Sequence, residues 1–135
     1  MNIAGIMIPK VSTVFLYENN TIRQGLERFM VHGYTAVPVL NSKEQYIGSV
    51  TEGDFLRHLL SVHTTDLKAM EQYWLGSIVR RDFCPPLLID APLPQVISAA
   101  LNQNFVPIVD SRNILCGILT RQIILKYLAQ NQGNL

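Results

Sequence analysis

The sequence predicts a mixed α/β (α+β) fold of two tandem β-α-β-β-α repeats, packed as a pseudo-two-fold pair. The first observation is an internal duplication: residues 37–60 align without a gap with residues 106–129, 69 positions later. The second is that short β-rich stretches alternate with amphipathic helical patterns in each copy. Because one copy is too small to bury its own apolar face, we expect the two to pack together. Identical pairs in the duplication include Val37 and Val106, Pro38 and Pro107, Gly48 and Gly117, and Thr51 and Thr120.

The composition indicates one compact domain without a strong electrostatic preference. The chain has 135 residues, 11 basic and 10 acidic residues and a net charge of +1. This balance gives no broad reason to expect nucleic acid or a membrane as partner, so any anionic ligand would be held locally. Cys84 and Cys116 lack metal-ligand spacing and favour a reducing compartment. Because there is no basic leader and no stretch of roughly 18 apolar residues, we expect a soluble, cytoplasmic protein.

Residues 1–60 form the first predicted repeat, which starts with a strand over residues 13–17 and a helix. Thr21 is the expected N-cap, Gln24 completes a capping box, and Gly33 ends the helix after residue 32. The face that this helix is expected to bury consists of Ile22, Leu26, Phe29 and Met30.

A hairpin and a second helix complete the first repeat. Its strands are expected over residues 36–40 and 46–50, with a polar loop between them. Pro38 has no N–H donor, so the first strand is expected to pair on one side only. Thr51 caps the helix that follows. The predicted buried stripe of that helix consists of Phe55, Leu56, Leu59 and Leu60.

Residues 61–75 are predicted to form a connecting helix, and residues 76–135 the second repeat. Gly76 is expected to end the connecting helix. The second repeat should contain a strand over residues 86–89, followed by a helix and then by the duplicated hairpin. Residues 130–135 are expected to fray. The apolar positions of the first helix of this repeat are Leu93, Ile97 and Leu101.

The hairpin motifs carry a resemblance to a known family. Residues 34–40 read Tyr-Thr-Ala-Val-Pro-Val-Leu, and residues 47–54 read Ile-Gly-Ser-Val-Thr-Glu-Gly-Asp. Both copies combine a Val-Pro strand, a strand containing Gly and a helix-capping Thr at the same spacing. This combination resembles the CBS domain, and nearly the whole chain resembles one CBS pair, or Bateman module. It is similar to small stand-alone bacterial CBS-pair proteins, some of which bind cyclic di-AMP.

The resemblance implies adenine nucleotides as ligands, held in clefts between the repeats. It implies that Thr51 contacts phosphate or ribose and that Asp54 accepts hydrogen bonds from the ribose hydroxyls. Thr35 and Ala36 are expected to line the same cleft. The residues whose backbone is implied to read the adenine edge are Phe83, Cys84 and Phe105.

The second copy departs from this pattern, so two unequal clefts are expected. Ile123 stands where Asp54 stands, which removes the ribose acceptor, and Arg121 follows Thr120, which suits a phosphate. In the similar cyclic di-AMP-binding proteins a basic residue follows this threonine. The residues implied to lie against the base are Lys10, Val11, Ser12 and Thr13 together with Tyr34, Thr35 and Ala36.

Physical reasoning leaves two interpretations of these residues. The start of a helix offers unpaired N–H groups and a positive dipole end, so Thr51 and Thr120 head two potential anion sites. The alternative for Thr51 and Asp54 is a capping box, which needs no ligand. Arg121 is either solvated or paired with an anion, since the helix dipole disfavours a bare cation at this end.

The histidines and the aromatic pair in the connecting segment are assigned structural roles. His58 and His63 are five residues apart, which does not place them on one helix face, so they are predicted to be surface histidines rather than metal ligands. Tyr73 and Trp74 are expected to pack in the core or an interface, with base stacking as the alternative.

The resemblance to CBS pairs implies a regulatory module that binds AMP, ADP, ATP or cyclic di-AMP and modulates an unidentified protein in trans. The module is expected to be a homodimer, with the nucleotide as regulatory ligand and no cofactor or metal besides it. The alternative is a structural dimerisation module without a nucleotide ligand. Enzymatic activity is not expected, because the sequence shows no nucleophile with a nearby base and no paired carboxylates.

Overall fold

The computed structural model describes residues 1–33 and 35–131 and divides into two compact units. Val14–Phe83 is here called the first-repeat unit, and Met1–Thr13 with the residues from Cys84 onward is called the second-repeat unit. Each unit contains one sheet and its own apolar core. None of the helices in the described ranges is long and apolar enough to cross a membrane.

The first-repeat unit has the predicted β-α-β-β-α order. The elements are β2 (Leu16–Tyr17), α2 (Ile22–His32), β3 (Ala36–Leu40), β4 (Tyr46–Thr51) and α3 (Glu52–Val62). The sheet has the order β2-β3-β4, in which β2 is parallel to β3 and β3 is antiparallel to β4. The capping box of Thr21 and Gln24 is present, and Gly33 ends α2 with a φ of 64°, so both predictions for this helix are confirmed.

The prediction that the Pro38 strand pairs on one side only is wrong. Strand β3 is the central strand, with β2 on one side and β4 on the other. The pairing with β2 begins at Val39, one residue after Pro38, so the missing N–H of the proline falls outside that ladder. On the other side Pro38 lies opposite Ser49 of β4.

The second-repeat unit has the same order of elements and also contains residues Met1–Thr13. Helix α1 (Ile3–Ile6) and strand β1 (Ile8–Pro9) precede β5 (Leu87–Leu88), α4 (Leu93–Asn102), β6 (Phe105–Val109), β7 (Leu115–Thr120) and α5 (Arg121–Gln130). The sheet has the order β1-β7-β6-β5, and β1 runs antiparallel to β7. The duplicated sequence therefore folds as two copies of one topology, and residues 1–13 belong to the unit of the second copy.

Each unit is held together by a separate set of buried aliphatic and aromatic side chains. In the first-repeat unit these are Leu16, Ile22, Phe29, Val37, Val39, Val50, Phe55, Met70 and Leu75. In the second-repeat unit they are Ile3, Ala91, Val96, Val106, Ile108, Leu119 and Ile124. Burial of this kind is the main source of stability for a small domain.

The connecting helix predicted over residues 61–75 is wrong. This segment contains turns and two short 3₁₀ segments, Ala69–Gln72 and Leu75–Ser77. The side chains of Thr64 and Asp66 accept hydrogen bonds from main-chain N–H groups two residues later, at 3.0 Å each. Such local bonds compete with a helix.

Several apolar residues that were predicted to be buried lie on the surface. The helices bury narrower stripes than the sequence suggested, centred on Phe29 in α2, on Phe55 in α3 and on Val96 in α4. The predicted core residues that are exposed instead are Met30, Leu56, Leu60 and Leu101. Because these residues lie on helices whose opposite sides are packed, they add exposed apolar surface to each unit.

The prediction that His58 is a surface residue is also wrong. Only 8% of His58 is exposed, and its ring packs edge-on against Tyr73 at a centroid distance of 4.7 Å. His63 is exposed, as predicted. Trp74 is exposed rather than in the core.

Candidate functional site

The start of α3 contains a closed capping box. The Oγ1 of Thr51 accepts a hydrogen bond from the N–H of Asp54 (3.3 Å), and the N–H of Thr51 donates to Oδ2 of Asp54 (2.7 Å). The Thr51 hydroxyl also donates to the same oxygen at 2.9 Å. The capping interpretation is therefore satisfied by the protein itself.

Two arginines converge on the other oxygen of Asp54. The Nε of Arg80 lies 2.8 Å from Oδ1, and Arg57 donates to Oδ1 from its η2 nitrogen. The Asp54 side chain is only 5% exposed. Burial raises the pKa of this carboxyl, but the Thr51 N–H, Arg80, Arg57 and the Thr51 hydroxyl together outweigh burial and lower it. Asp54 is thus held as a carboxylate within a cluster of donors.

Arg80 is held in place by its main chain and by an aromatic ring. Its main chain exchanges two hydrogen bonds with Ser49, at 3.1 and 2.9 Å. Arg80 therefore forms an isolated antiparallel bridge with β4 at the edge of the sheet. A side chain at Gly48 would clash with the Arg80 carbonyl oxygen, which explains the glycine at this position. The guanidinium lies over the ring of Phe83, 4.6 Å from its centroid. The main chain of Arg80 is therefore fixed, and its guanidinium lies next to Asp54.

Four of the predicted ligand residues come together at this end of the first-repeat unit. Ala36 pairs with Thr51 across the sheet, and the Thr35 carbonyl accepts a hydrogen bond from the N–H of Glu52 at 3.3 Å. Thr35 and Ala36 therefore lie beside Thr51 and Asp54. Tyr34, which was predicted to join them, lies outside the described residues.

Phe83 belongs to the same unit, and its backbone is already engaged. The Tyr46 hydroxyl donates to the Phe83 carbonyl at 3.3 Å and is also hydrogen-bonded to Ser49 Oγ at 2.8 Å. Cys84 is buried in the other unit, with a φ of 58°.

The equivalent helix start in the second-repeat unit is simpler. Thr120 caps α5 by accepting from the N–H of Ile123 at 3.2 Å. Arg121 turns away to the C-terminus of α4, where its Nε donates to the Ala100 carbonyl (2.7 Å) and Nη2 to the Leu101 carbonyl (3.4 Å). A cation at the C-terminal end of a helix is favourable. Arg121 therefore already has acceptors within the protein.

The remaining predicted contacts also lie in the second-repeat unit. Lys10, Val11 and Ser12 form a 3₁₀ turn, and the buried Thr13 donates from its hydroxyl to the Pro9 carbonyl at 2.9 Å. Phe105 pairs with Thr120. Its carbonyl accepts from the Gln103 amide at 3.2 Å, and the same amide nitrogen donates to the Pro85 carbonyl at 3.1 Å.

Arg57, Arg80 and Gln103 are the residues that sequence reasoning missed. Arg57 follows Asp54 by three positions on one helix, which is a readable signal for an ion pair. Arg80 is 26 residues away from Asp54, and no local pattern announces the contact. In the described part of the chain, no group of three or more His, Cys, Asp or Glu residues is arranged to hold a metal ion.

Comparisons with known proteins agree with the fold and the duplication. The family model of the CBS domain matches residues 3–61 and 75–130. Cyclic di-AMP receptor B of Bacillus subtilis (strain 168) is 23% identical over 122 residues, which cover 90% of this chain and 82% of that protein.

Two solved structures extend this similarity to three dimensions. The Listeria monocytogenes CbpB protein in complex with c-di-AMP superposes with a TM-score of 0.83 at 20% identity, and the match covers 100% of both chains. The protein CBSX2 in complex with AMP superposes with a TM-score of 0.76 at 18% identity, over 97% of this chain and 98% of that chain. The chain therefore belongs to the CBS domain family, of which it contains two tandem copies.

Proposed function

We propose that this protein is a regulatory module that binds an adenine nucleotide, either a mononucleotide (AMP, ADP or ATP) or cyclic di-AMP, and modulates a partner protein. The observation that carries the proposal is the grouping of Thr35, Ala36, Thr51 and Asp54 at one helix start. Two similar proteins were solved with c-di-AMP or AMP bound, which supports the same ligand class here.

The chemistry of the first-repeat unit suits a mononucleotide. A helix start attracts phosphate through its N–H groups and its dipole, and the guanidinium groups of Arg57 and Arg80 add donors with the geometry that phosphate prefers. Asp54 is the proposed acceptor for the ribose hydroxyls, and Phe83 offers a nearby aromatic surface.

The chemistry of the second-repeat unit suits a different ligand. Ile123 replaces the carboxylate, so a ribose diol gains no charged acceptor there. Thr120 and Arg121 are the proposed phosphate contacts, with residues 10–13 against a base. Cyclic di-AMP, the ligand in the name of the Bacillus subtilis relative, is the candidate for this half.

Isothermal titration of the full chain with AMP, ATP and cyclic di-AMP tests the proposal. At least one ligand is expected to bind with micromolar or tighter affinity, and flat traces with all three would contradict the proposal.

Asp54→Ala is expected to weaken mononucleotide binding more than Arg121→Ala does, by about ten- to a hundredfold, because a charge-assisted bond is lost. Cyclic di-AMP is expected to depend more on Arg121. The matched control is Arg112→Ala, at an exposed arginine, which should leave the affinity for both kinds of ligand unchanged.

Regulation is the second half of the proposal. A ligand that binds one arrangement of the module more tightly shifts the population toward it and so changes the affinity for a protein in trans. We place this activity in the cytoplasm, where adenine nucleotides are available. We propose no catalytic role, so ATP and cyclic di-AMP should be recovered unchanged after incubation with the protein.

A second candidate is a structural dimerisation module without a nucleotide ligand. It is favoured by the fact that Asp54 and Arg121 already have protein partners, and by the exposed apolar residues on the helices. A stable dimer whose melting temperature no nucleotide raises would support this candidate, since a ligand that binds the folded state must stabilise it.

A further inference from the structure

We propose that Arg80 is a specificity-determining residue, a latch on Asp54 that a phosphorylated ligand opens and an unphosphorylated nucleoside does not. This inference rests on the proposed function, because it concerns the same helix start. It adds a residue that the sequence did not indicate and a discrimination between nucleotide and nucleoside.

The acceptor capacity of Asp54 is the starting point. A carboxylate has about four lone-pair positions. Oδ2 receives the N–H and the hydroxyl of Thr51, and Oδ1 receives Arg80 and Arg57. A ribose diol therefore reaches Asp54 only after a protein donor has left it.

Arg80 is the donor whose departure opens the whole site. Its Nε is hydrogen-bonded to Asp54, and its Nη2 lies 3.3 Å from Thr51 Oγ1, so one guanidinium covers both Asp54 and Thr51. Arg57 donates to Asp54, its one hydrogen-bond partner among residues 1–33 and 35–131, from a side chain that is 62% exposed. The Thr51 donors hold the helix cap, and their loss would undo the start of α3.

The repeat fold does not depend on the Arg80–Asp54 pair. Ser49 pairs with Arg80 as its duplicate Ile118 pairs with Ile8, so Ile8 occupies the place of Arg80 in the second-repeat unit. The duplicate of Asp54 is Ile123. Where one repeat has an arginine and an aspartate, the other has two isoleucines and the same topology. Since an ion pair of this kind is often replaceable by apolar residues, the pair is better explained by ligand chemistry than by folding.

The latch gives a preference for phosphate. When ribose displaces Arg80 from Asp54, the guanidinium loses its carboxylate while its main chain stays anchored at Ser49. A nucleotide offers a phosphate to the displaced guanidinium, whereas adenosine offers none. A charge-assisted bond corresponds to about ten- to a hundredfold in affinity, which is the discrimination expected from this exchange.

Titration of AMP and adenosine into wild-type protein, Arg80→Ala, Arg80→Lys and the neighbouring control Arg81→Ala tests the latch. Wild type and the control are expected to prefer AMP by about tenfold or more. Arg80→Ala is expected to bind adenosine more tightly than wild type does, and its AMP-to-adenosine affinity ratio should fall at least about tenfold. Arg80→Lys keeps the charge without the planar fork and should give an intermediate ratio.

The outcomes separate the latch from the proposed function. If wild type binds AMP and Arg80→Ala leaves the affinity ratio unchanged, the latch is wrong and the nucleotide site stands. If no protein in the series binds AMP or adenosine, the latch is wrong, and the titrations with ATP and cyclic di-AMP decide whether the proposed function stands. Circular dichroism melting reports whether the variants fold. If Arg80→Ala does not fold, the affinity ratio of Arg80→Lys tests the latch instead. The double variant Asp54→Ile/Arg80→Ile, which copies the second repeat, should fold like wild type and bind adenosine no better than wild type does.

Discussion

At the scale of single residues, His58 is a buried titratable side chain that packs against Tyr73. It is buried on α3, and its Nε2 has no hydrogen-bond partner within the described residues. Burial lowers the pKa of the imidazole, because the charged form loses water. The protein therefore folds around a neutral histidine.

This burial predicts a pH dependence of stability. The pKa of His58 is lower in the folded state than the value of about 6.5 in the unfolded state, so its neutral form is favoured by folding. The contribution of His58 to the free energy of unfolding is fully present above the unfolded pKa. It is lost as the pH drops below that value, because the unfolded chain then binds a proton that the folded chain does not. Urea unfolding at about pH 7.5 and about pH 5.5 should show this loss.

His58→Phe provides the matched variant. Phenylalanine keeps the ring against Tyr73 and removes the unpaired nitrogen, so the free energy of unfolding should rise by about 1 kcal/mol at neutral pH. Its loss of stability toward about pH 5.5 should be smaller than that of wild type. The exposed His63→Asn serves as control. An equal pH dependence in wild type and His58→Phe would contradict the assignment.

At the scale of elements, two glycines mark where a segment is laid against the edge of a sheet. Gly48 is approached by the Arg80 carbonyl and Gly117 by the Ile8 carbonyl. In each case a Cβ would clash with main-chain atoms, which shift less easily than a side chain does. The duplicated glycine therefore has the same structural reason in both units.

Gly117→Ala is expected to detach β1 from β7. The substitution should lower the free energy of unfolding by about 2 to 3 kcal/mol, since strand pairing is lost and the nearby buried Ile3 is disturbed. Denaturant unfolding measures the change. The control is Gly5→Ala in α1, where a Cβ meets only the flexible Asn2 side chain at 3.2 Å. If Gly117→Ala changes the free energy of unfolding no more than Gly5→Ala does, β1 can shift to accommodate the Cβ and the prediction is wrong.

The apolar helix surface gives a second prediction at this scale. In the second-repeat unit α4 and α5 border a groove of about 360 Å³, and Leu101 and Leu125 beside it are 74% and 65% exposed. We propose that a second copy of the chain covers this groove. Leu101→Glu and Leu125→Glu should convert a dimer to a monomer in light scattering. Leu67→Glu, an exposed leucine in the connecting segment, should not. A wild-type monomer would contradict the proposal.

The elements themselves were largely predictable, because their signals are local. The capping residues Thr21, Thr51 and Thr120 all begin the helices expected of them. The connecting segment was not, since its helical composition is overridden by side-chain turns and by tertiary bonds, such as that from the Leu75 N–H to the Asn20 carbonyl at 2.7 Å. Which face of each helix is buried depends on packing between elements, so Leu56 and Leu60 were misplaced.

At the scale of the whole molecule, the duplication predicted the topology but not the membership of the units. The predicted boundaries at residues 60 and 75 follow the repeat in the sequence. The compact units instead place Met1–Thr13 with the second copy, through the pairing of Ile8 with Ile118. Contacts over such separations leave no periodicity in the sequence. The Arg80–Asp54 contact was missed for the same reason.

The assignment of β1 to the sheet of the second copy has a consequence for biosynthesis. The strand leaves the ribosome before β7, its partner, which is translated more than a hundred residues later. Val14–Phe83 is complete long before that moment and is free to fold while synthesis continues. Strand β1 therefore stays unpaired until β7 has been made, and its docking, which closes a loop of more than a hundred residues, comes among the last steps of folding.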